Sequence, residues 1–110
     1  MSNNFHLAIN VKNLEESIEF YCHLLGCSLG AFEKGSWQDI NFWGNELTLH
    51  KSDTKNAQEI HPVDMGNVPV PHFGIHLDNK TYKTIKNRIE SSDKFRYFDE
   101  PSLRFKGSSR

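Results

Sequence analysis

Several things are scarce in this chain, and each scarcity narrows what it can be. Cysteine is one: Cys22 and Cys27 are the two present in 110 residues, and their spacing suits neither a disulfide framework nor a zinc knuckle. Both read as buried or half-buried thiols in a reducing compartment. A surplus of charge of one sign is also lacking. The formal net charge is −1 with 25% charged residues, which argues against bulk electrostatic binding to nucleic acid or an anionic membrane. A basic cluster at Arg96, Arg104, Lys106 and Arg110 reads as solvated strand and tail positions. No apolar run approaches the roughly 20 residues of a transmembrane helix. The opening residues Met1 to Asn4 lack the features of a signal peptide. The length allows one domain, 1–110, and is too short for two independent cores of ordinary size. A cytoplasmic protein with no nucleic-acid or membrane partner is the expectation.

What the chain does contain is a repeat, and a repeat changes the fold reading before any single element does. His6-Leu-Ala-Ile-Asn-Val-Lys-Asn13 lines up with His72-Phe-Gly-Ile-His-Leu-Asp-Asn79 at an offset of 66 residues. Histidine, isoleucine and asparagine coincide, and each segment runs into a helical pattern. Module one then covers about 1–52 and a partial module two about 72–110. The polar, proline-bearing stretch 53–71 reads as a linker or a lid, since connections of that length are often functional or mobile.

Within module one the periodicities are clear. Leu7, Ile9 and Val11 alternate with His6, Ala8 and Asn10, as in a half-buried strand. Asn13 reads as a helix cap with Glu16 three residues on, and Leu14, Ile18, Tyr21 and Leu25 form an apolar stripe. Gly26 is placed to end that helix at positive φ. Three strands follow, near 28–33, 37–43 and 46–51, with Gly44-Asn45 as a two-residue hairpin signal between the last two. The second unit predicts a strand over 72–77, a helix with Tyr82, Ile85 and Ile89 inward and Asp78 or Asn79 as cap, and strands near 95–98 and from Leu103.

One face of each half is apolar and must receive a helix. The opposite faces carry His6, Glu46, Thr48, His50, His72 and His76, with the small residues Ala8 and Gly74 beside them. Taken singly, His23, His61 or His76 reads as a solvated or hydrogen-bonded side chain. His6 and His72 differ, because the repeat gives them equivalent positions, and they are candidate metal ligands with His50. Glu46, on the face of His50, is the candidate general base. Trp37, Asn41, Trp43, Thr48 and His76 are candidates to line a substrate cleft, although each tryptophan alone reads more readily as sheet packing or a dimer contact.

The run from Phe5 to Cys27 resembles the opening of vicinal-oxygen-chelate proteins, the glyoxalase, bleomycin-resistance and extradiol-dioxygenase superfamily. Phe42-Trp-Gly-Asn-Glu-Leu-Thr-Leu-His50 and Val70-Pro-His-Phe-Gly-Ile75 resemble that family's fourth and fifth strands. The resemblance implies an α+β fold of two paired βαβββ modules, a curved mixed sheet lining a cleft with helices outside. It also implies a homodimer and a divalent metal, with zinc, nickel, manganese, cobalt and iron(II) as candidates. By position, His6 stands for the first-strand ligand, His72 for the fifth, and His50 for the fourth with Glu46 as second choice. The family's last strand supplies a glutamate after an Asp-Pro-x-Gly-Asn-like turn. No such turn occurs before Arg110, so the second module is incomplete in this chain.

Two functions follow as expectations. One is a metal-dependent lyase, isomerase or dioxygenase acting on a small substrate with two adjacent oxygens, the ion stabilising a developing oxyanion. The other is a metal-free module that binds a small molecule or an antibiotic through its aromatic residues.

Overall fold

The structure is a computed structural model that describes residues 3–54, 56–63 and 66–95. Strand β1 (His6–Val11) leads into helix α1 (Leu14–Ile18), which continues as a π-helical stretch, Glu19–Leu24. Strands β2 (Ser28–Glu33), β3 (Trp37–Phe42) and β4 (Asn45–Lys51) follow. These four strands form one sheet in the order β1-β4-β3-β2, with β1 parallel to β4 and the other pairs antiparallel. Helices and a mixed sheet in separate layers make this an α+β fold, as expected.

The first helix begins where the sequence indicates. Asn13 is extended, and its side-chain oxygen accepts from the Glu16 amide at 3.0 Å, satisfying one of the orphan donors of a helix start. Further along, the Leu25 amide bonds the Phe20 carbonyl, the i→i+5 pattern of a π-turn. That wider turn lets Tyr21, Cys22 and Leu25 all join Leu14 and Ile18 against the sheet. Gly26 then turns the chain at φ 84.

The core is the helix-facing side of the sheet. Ile40, Phe42, Leu47 and Leu49 form its centre, and Leu7, Ile9 and Val11 pack against it. Hydrophobic burial of this kind is the main term holding the layers together. The tight hairpin is displaced by one residue from expectation. Phe42 pairs with Asn45, so Trp43 and Gly44 are the turn residues, at φ 50 and 88. Both central positions of such a turn need positive φ; Gly44 meets that without a Cβ penalty, whereas Trp43 adopts it at a conformational cost.

Beyond residue 52 the outcome is mixed. The stretch read as a linker or lid carries an antiparallel hairpin of its own, β5 (Glu59–Val63) and β6 (Gly66–Val70). Residues 72–77, expected to form a strand, have no ladder partner among the described residues and run as irregular chain, because an extended segment becomes a strand only by pairing. Helix α2 (Asn79–Glu90) begins as expected, with Asp78 as its cap accepting from the Thr81 amide at 2.7 Å. Ile85 of its stripe is buried, whereas Tyr82 is exposed. Arg88 anchors α2 to the first helix by donating to the Leu24 carbonyl at 2.9 Å, a cation at a helix C-terminus where the free carbonyls lie. Of the expected strand near 95–98, residues 96–98 lie outside the described residues, as does the one from Leu103.

Candidate functional site

The sheet has one covered face and one bare face, and the bare one carries the polar residues. Strand alternation puts His6, Ala8 and Asn10 of β1 on it, together with Glu46, Thr48 and His50 of β4 and Trp37, Asp39 and Asn41 of β3. The register makes the neighbours explicit. His6 lies opposite Glu46, Ala8 opposite Thr48, and Asn10 opposite His50. On the other side of β4, Asn41 faces Glu46, Asp39 faces Thr48, and Trp37 faces His50.

Two close pairs result. His6 Nδ1 lies 2.7 Å from Glu46 Oε1, with both side chains more than half exposed. One pleat along, the Thr48 hydroxyl donates to Asp39 Oδ1 at 2.6 Å, and Thr48 is buried. A depression of about 400 Å³ opens over this region, bordered by Gly30, Asp39, Asn41, Gly44, Asn45 and Glu46. Asn41 stiffens its rim, since its side-chain oxygen accepts from the Gly44 amide at 2.7 Å.

The other candidates sit elsewhere. His50 is exposed at the far end of β4 from Glu46. His72 follows β6, where its Nδ1 approaches the Pro69 carbonyl oxygen at 2.7 Å. His76 lies in the irregular segment before α2 and is exposed. Trp37 borders a groove beside α1 and donates its indole N–H to Glu33 at 3.2 Å. Trp43 stands in the hairpin turn with its ring edge-on to Phe42 at 4.9 Å. Thus the structure brings His6 and Glu46 together, with Asn41 and Thr48 beside Glu46. It does not gather His50, His72 or His76 with them.

Asp39 was missed by sequence reasoning, although its signal was present: it shares strand parity with Trp37 and Asn41. Asn56 was missed without any signal. Its side-chain amide donates to the Asn10 carbonyl at 2.9 Å and accepts from the Asn10 amide at 3.0 Å. It thereby occupies the outer edge of β1 much as a neighbouring strand would.

Whether these residues suit a divalent cation can be tested on the donor set. His6 and Glu46 supply a nitrogen and a carboxylate oxygen at facing positions, the donor types that mixed N/O metal sites use. They fit two positions of such a site. Among the described residues no group of three or more His, Cys, Asp or Glu is placed to hold a metal ion, so further donors would have to come from outside those residues. Also among the described residues, no helix is long and apolar enough to cross a membrane.

The comparisons with known proteins agree with this architecture. The family model described as the Glyoxalase/Bleomycin resistance protein/Dioxygenase superfamily matches residues 5–81. The chain is similar to the crystal structure of a glyoxalase/bleomycin resistance protein/dioxygenase from Alicyclobacillus acidocaldarius, with 32% identity and a TM-score of 0.66, covering 96% of this chain and 74% of that one. It also shares its fold with an integron cassette protein from the mobile metagenome of the Halifax Harbour sewage outfall. There the TM-score is 0.58 and the identity 23%, over 83% of this chain and 71% of that one. No curated protein matches. With a family model spanning most of its length and a bare sheet face bearing His6 and Glu46, the chain belongs to the glyoxalase, bleomycin-resistance protein and dioxygenase superfamily.

Proposed function

We propose that this protein acts on a small molecule with two adjacent oxygens, bound on the bare sheet face, as a divalent-metal-dependent lyase, isomerase or dioxygenase. The observation that carries this reading is the His6–Glu46 pair at 2.7 Å, two ligand-type groups meeting from adjacent strands. In the reading from sequence His50 was the first choice on β4. The register supports Glu46 instead, because Glu46 is the residue opposite His6.

In this reading His6 and Glu46 hold the ion. When bound, the ion would polarise the substrate oxygens and stabilise negative charge that develops on them. The chain's own groups do the rest. Asp39, with its other oxygen free of the Thr48 hydroxyl, can accept a substrate hydroxyl, and the Asn41 amide can orient a second polar group at the depression rim. A homodimer suits the reading, since a second copy can bring further donors to a face where the described residues supply two. Zinc, nickel, manganese, cobalt and iron(II) all suit a nitrogen-and-carboxylate donor pair.

A second reading is a metal-free binder of small molecules. It is favoured by one observation: His72, the expected partner of His6, is engaged locally with the Pro69 carbonyl. Elemental analysis of the purified protein separates the two. A divalent ion retained by the wild type and lost in both His6→Ala and Glu46→Ala supports the enzyme. A protein that neither carries nor takes up any of the five ions supports the binder.

A further inference from the structure

A second concavity lies on the opposite, helix-bearing side of the sheet. It is a groove of about 490 Å³ between α1 and the β2–β3 hairpin. Its apolar walls are Leu14, Ile18 and Phe32, while the Trp37 side chain belongs to the bare face. Phe32 pairs across the ladder with the buried Gln38, yet it is 65% exposed. The cause is the position of α1, which packs over β3 and β4 and leaves every residue of β2 exposed. Aromatic surface left bare inside a concavity is where a ligand gains most by excluding water.

The rim adds charge. Lys12, Lys34 and Lys51 come from three separate segments, the β1–α1 connection, the β2–β3 turn and the end of β4, and all border the groove. None of them forms an ion pair among the described residues. Two carboxylates also border it, Glu15 and Glu33, and Glu33 already accepts the Trp37 indole N–H. Three ammonium groups thus face two carboxylates, and among the described residues no carboxylate pairs with them.

We propose that this groove binds a small organic anion with a flat aromatic body, an aromatic carboxylate or sulfonate. Phe32 supplies the ring contact, with Leu14 and Ile18 beside it, and the three lysines supply point charges for the anionic oxygens. The groove lies on the other face of the sheet from His6 and Glu46, so the inference stands apart from the function proposed for that pair.

The test is a fluorescence titration of the full chain with anilinonaphthalenesulfonate at low salt, with neutral N-phenylnaphthylamine as the comparison probe. The expected result is saturable binding of one sulfonate probe per chain, with quenching of tryptophan emission. Combining Lys12→Gln, Lys34→Gln and Lys51→Gln should weaken it roughly tenfold, and added salt should weaken it in the wild type. Phe32→Ser, at an exposed position, should weaken it by a similar factor, and the neutral probe should bind correspondingly less well. His6→Ala reports whether the probe sits on the other face instead, and no change is expected. The proposal is overturned by absence of saturable binding, by unchanged affinity in the lysine variant or in Phe32→Ser, by equal affinity for the neutral probe, or by loss of binding in His6→Ala.

Discussion

Thr48 and Asp39 face each other across β4 and β3, and the threonine hydroxyl donates to the aspartate at 2.6 Å from a position only 6% exposed. A hydroxyl given to a carboxylate is a charge-assisted bond, stronger than a neutral one. Thr48→Val keeps the shape, removes the donor and leaves Asp39 in place. It should destabilise the fold by about 1–3 kcal/mol, read as a lower urea midpoint with an unchanged slope. Asp39→Asn should cost less, because an amide oxygen can still accept the same bond. Equal stability of Thr48→Val and wild type would show that the pair contributes nothing to folding.

The hairpin between β3 and β4 tests a backbone argument. Gly44 has φ 88, and a Cβ built there meets nothing within 4 Å. The cost of Gly44→Ala is therefore conformational rather than steric, about 1–2 kcal/mol. Thermal unfolding should show that loss, and it should not be recovered by trimming neighbouring side chains.

Leu49 is fully buried at the centre of the core. Leu49→Ala should cost roughly 2–5 kcal/mol, the removed contacts plus the cavity left behind. Leu29→Ala, at a residue 57% exposed on the uncovered β2, should stay within about 0.5 kcal/mol of wild type. Chemical denaturation of the two variants side by side checks the assignment of the covered face.

Alkaline pH should unfold the protein earlier than its ordinary surface would suggest. Burial pushes the Tyr21 hydroxyl up to about 12, with the Cys27 thiol adding to it. Burial likewise pushes Cys27 up to about 11, with Cys22 adding to it, and raises Cys22. In the unfolded chain these groups lose their protons first, from their ordinary values of 9.0 and 10.0, so unfolding releases protons as pH rises. Stability from these groups is fully present below about pH 9. It is lost as pH climbs through 11 and 12. Urea midpoints measured from pH 7 upward should hold level and then fall across that window. Tyr21→Phe and Cys27→Ala should flatten the fall.

Local signals in the sequence translated directly into structure where the chain makes its contacts with near neighbours. Asn13 capping α1, Gly26 leaving the helix at positive φ and the alternation of Leu7, Ile9 and Val11 are all decided within a few residues. The turn between β3 and β4 was misplaced by one residue because Gly44-Asn45 carries a strong turn signal, while the observed turn asks Trp43 to adopt φ 50. The β5–β6 hairpin was hidden because Pro62 and Pro69 interrupt the strand pattern. The segment 72–77 has the alternation of a strand, but alternation cannot supply a partner. The pairing of His6 with Glu46 was only half legible. Strand parity placed both on one face, whereas the choice between Glu46 and His50 depends on the β1–β4 register, which two separate strand patterns do not encode.

The most direct test of the central claim, that the face bearing His6 and Glu46 receives a divalent ion, is an NMR titration of the labelled protein with manganese(II). The account predicts that amide signals around His6 and Glu46 broaden first, at substoichiometric metal, and that His6→Ala and Glu46→Ala abolish the selective broadening while keeping folded spectra. Broadening that leaves these residues untouched, or that persists unchanged in both variants, would contradict it.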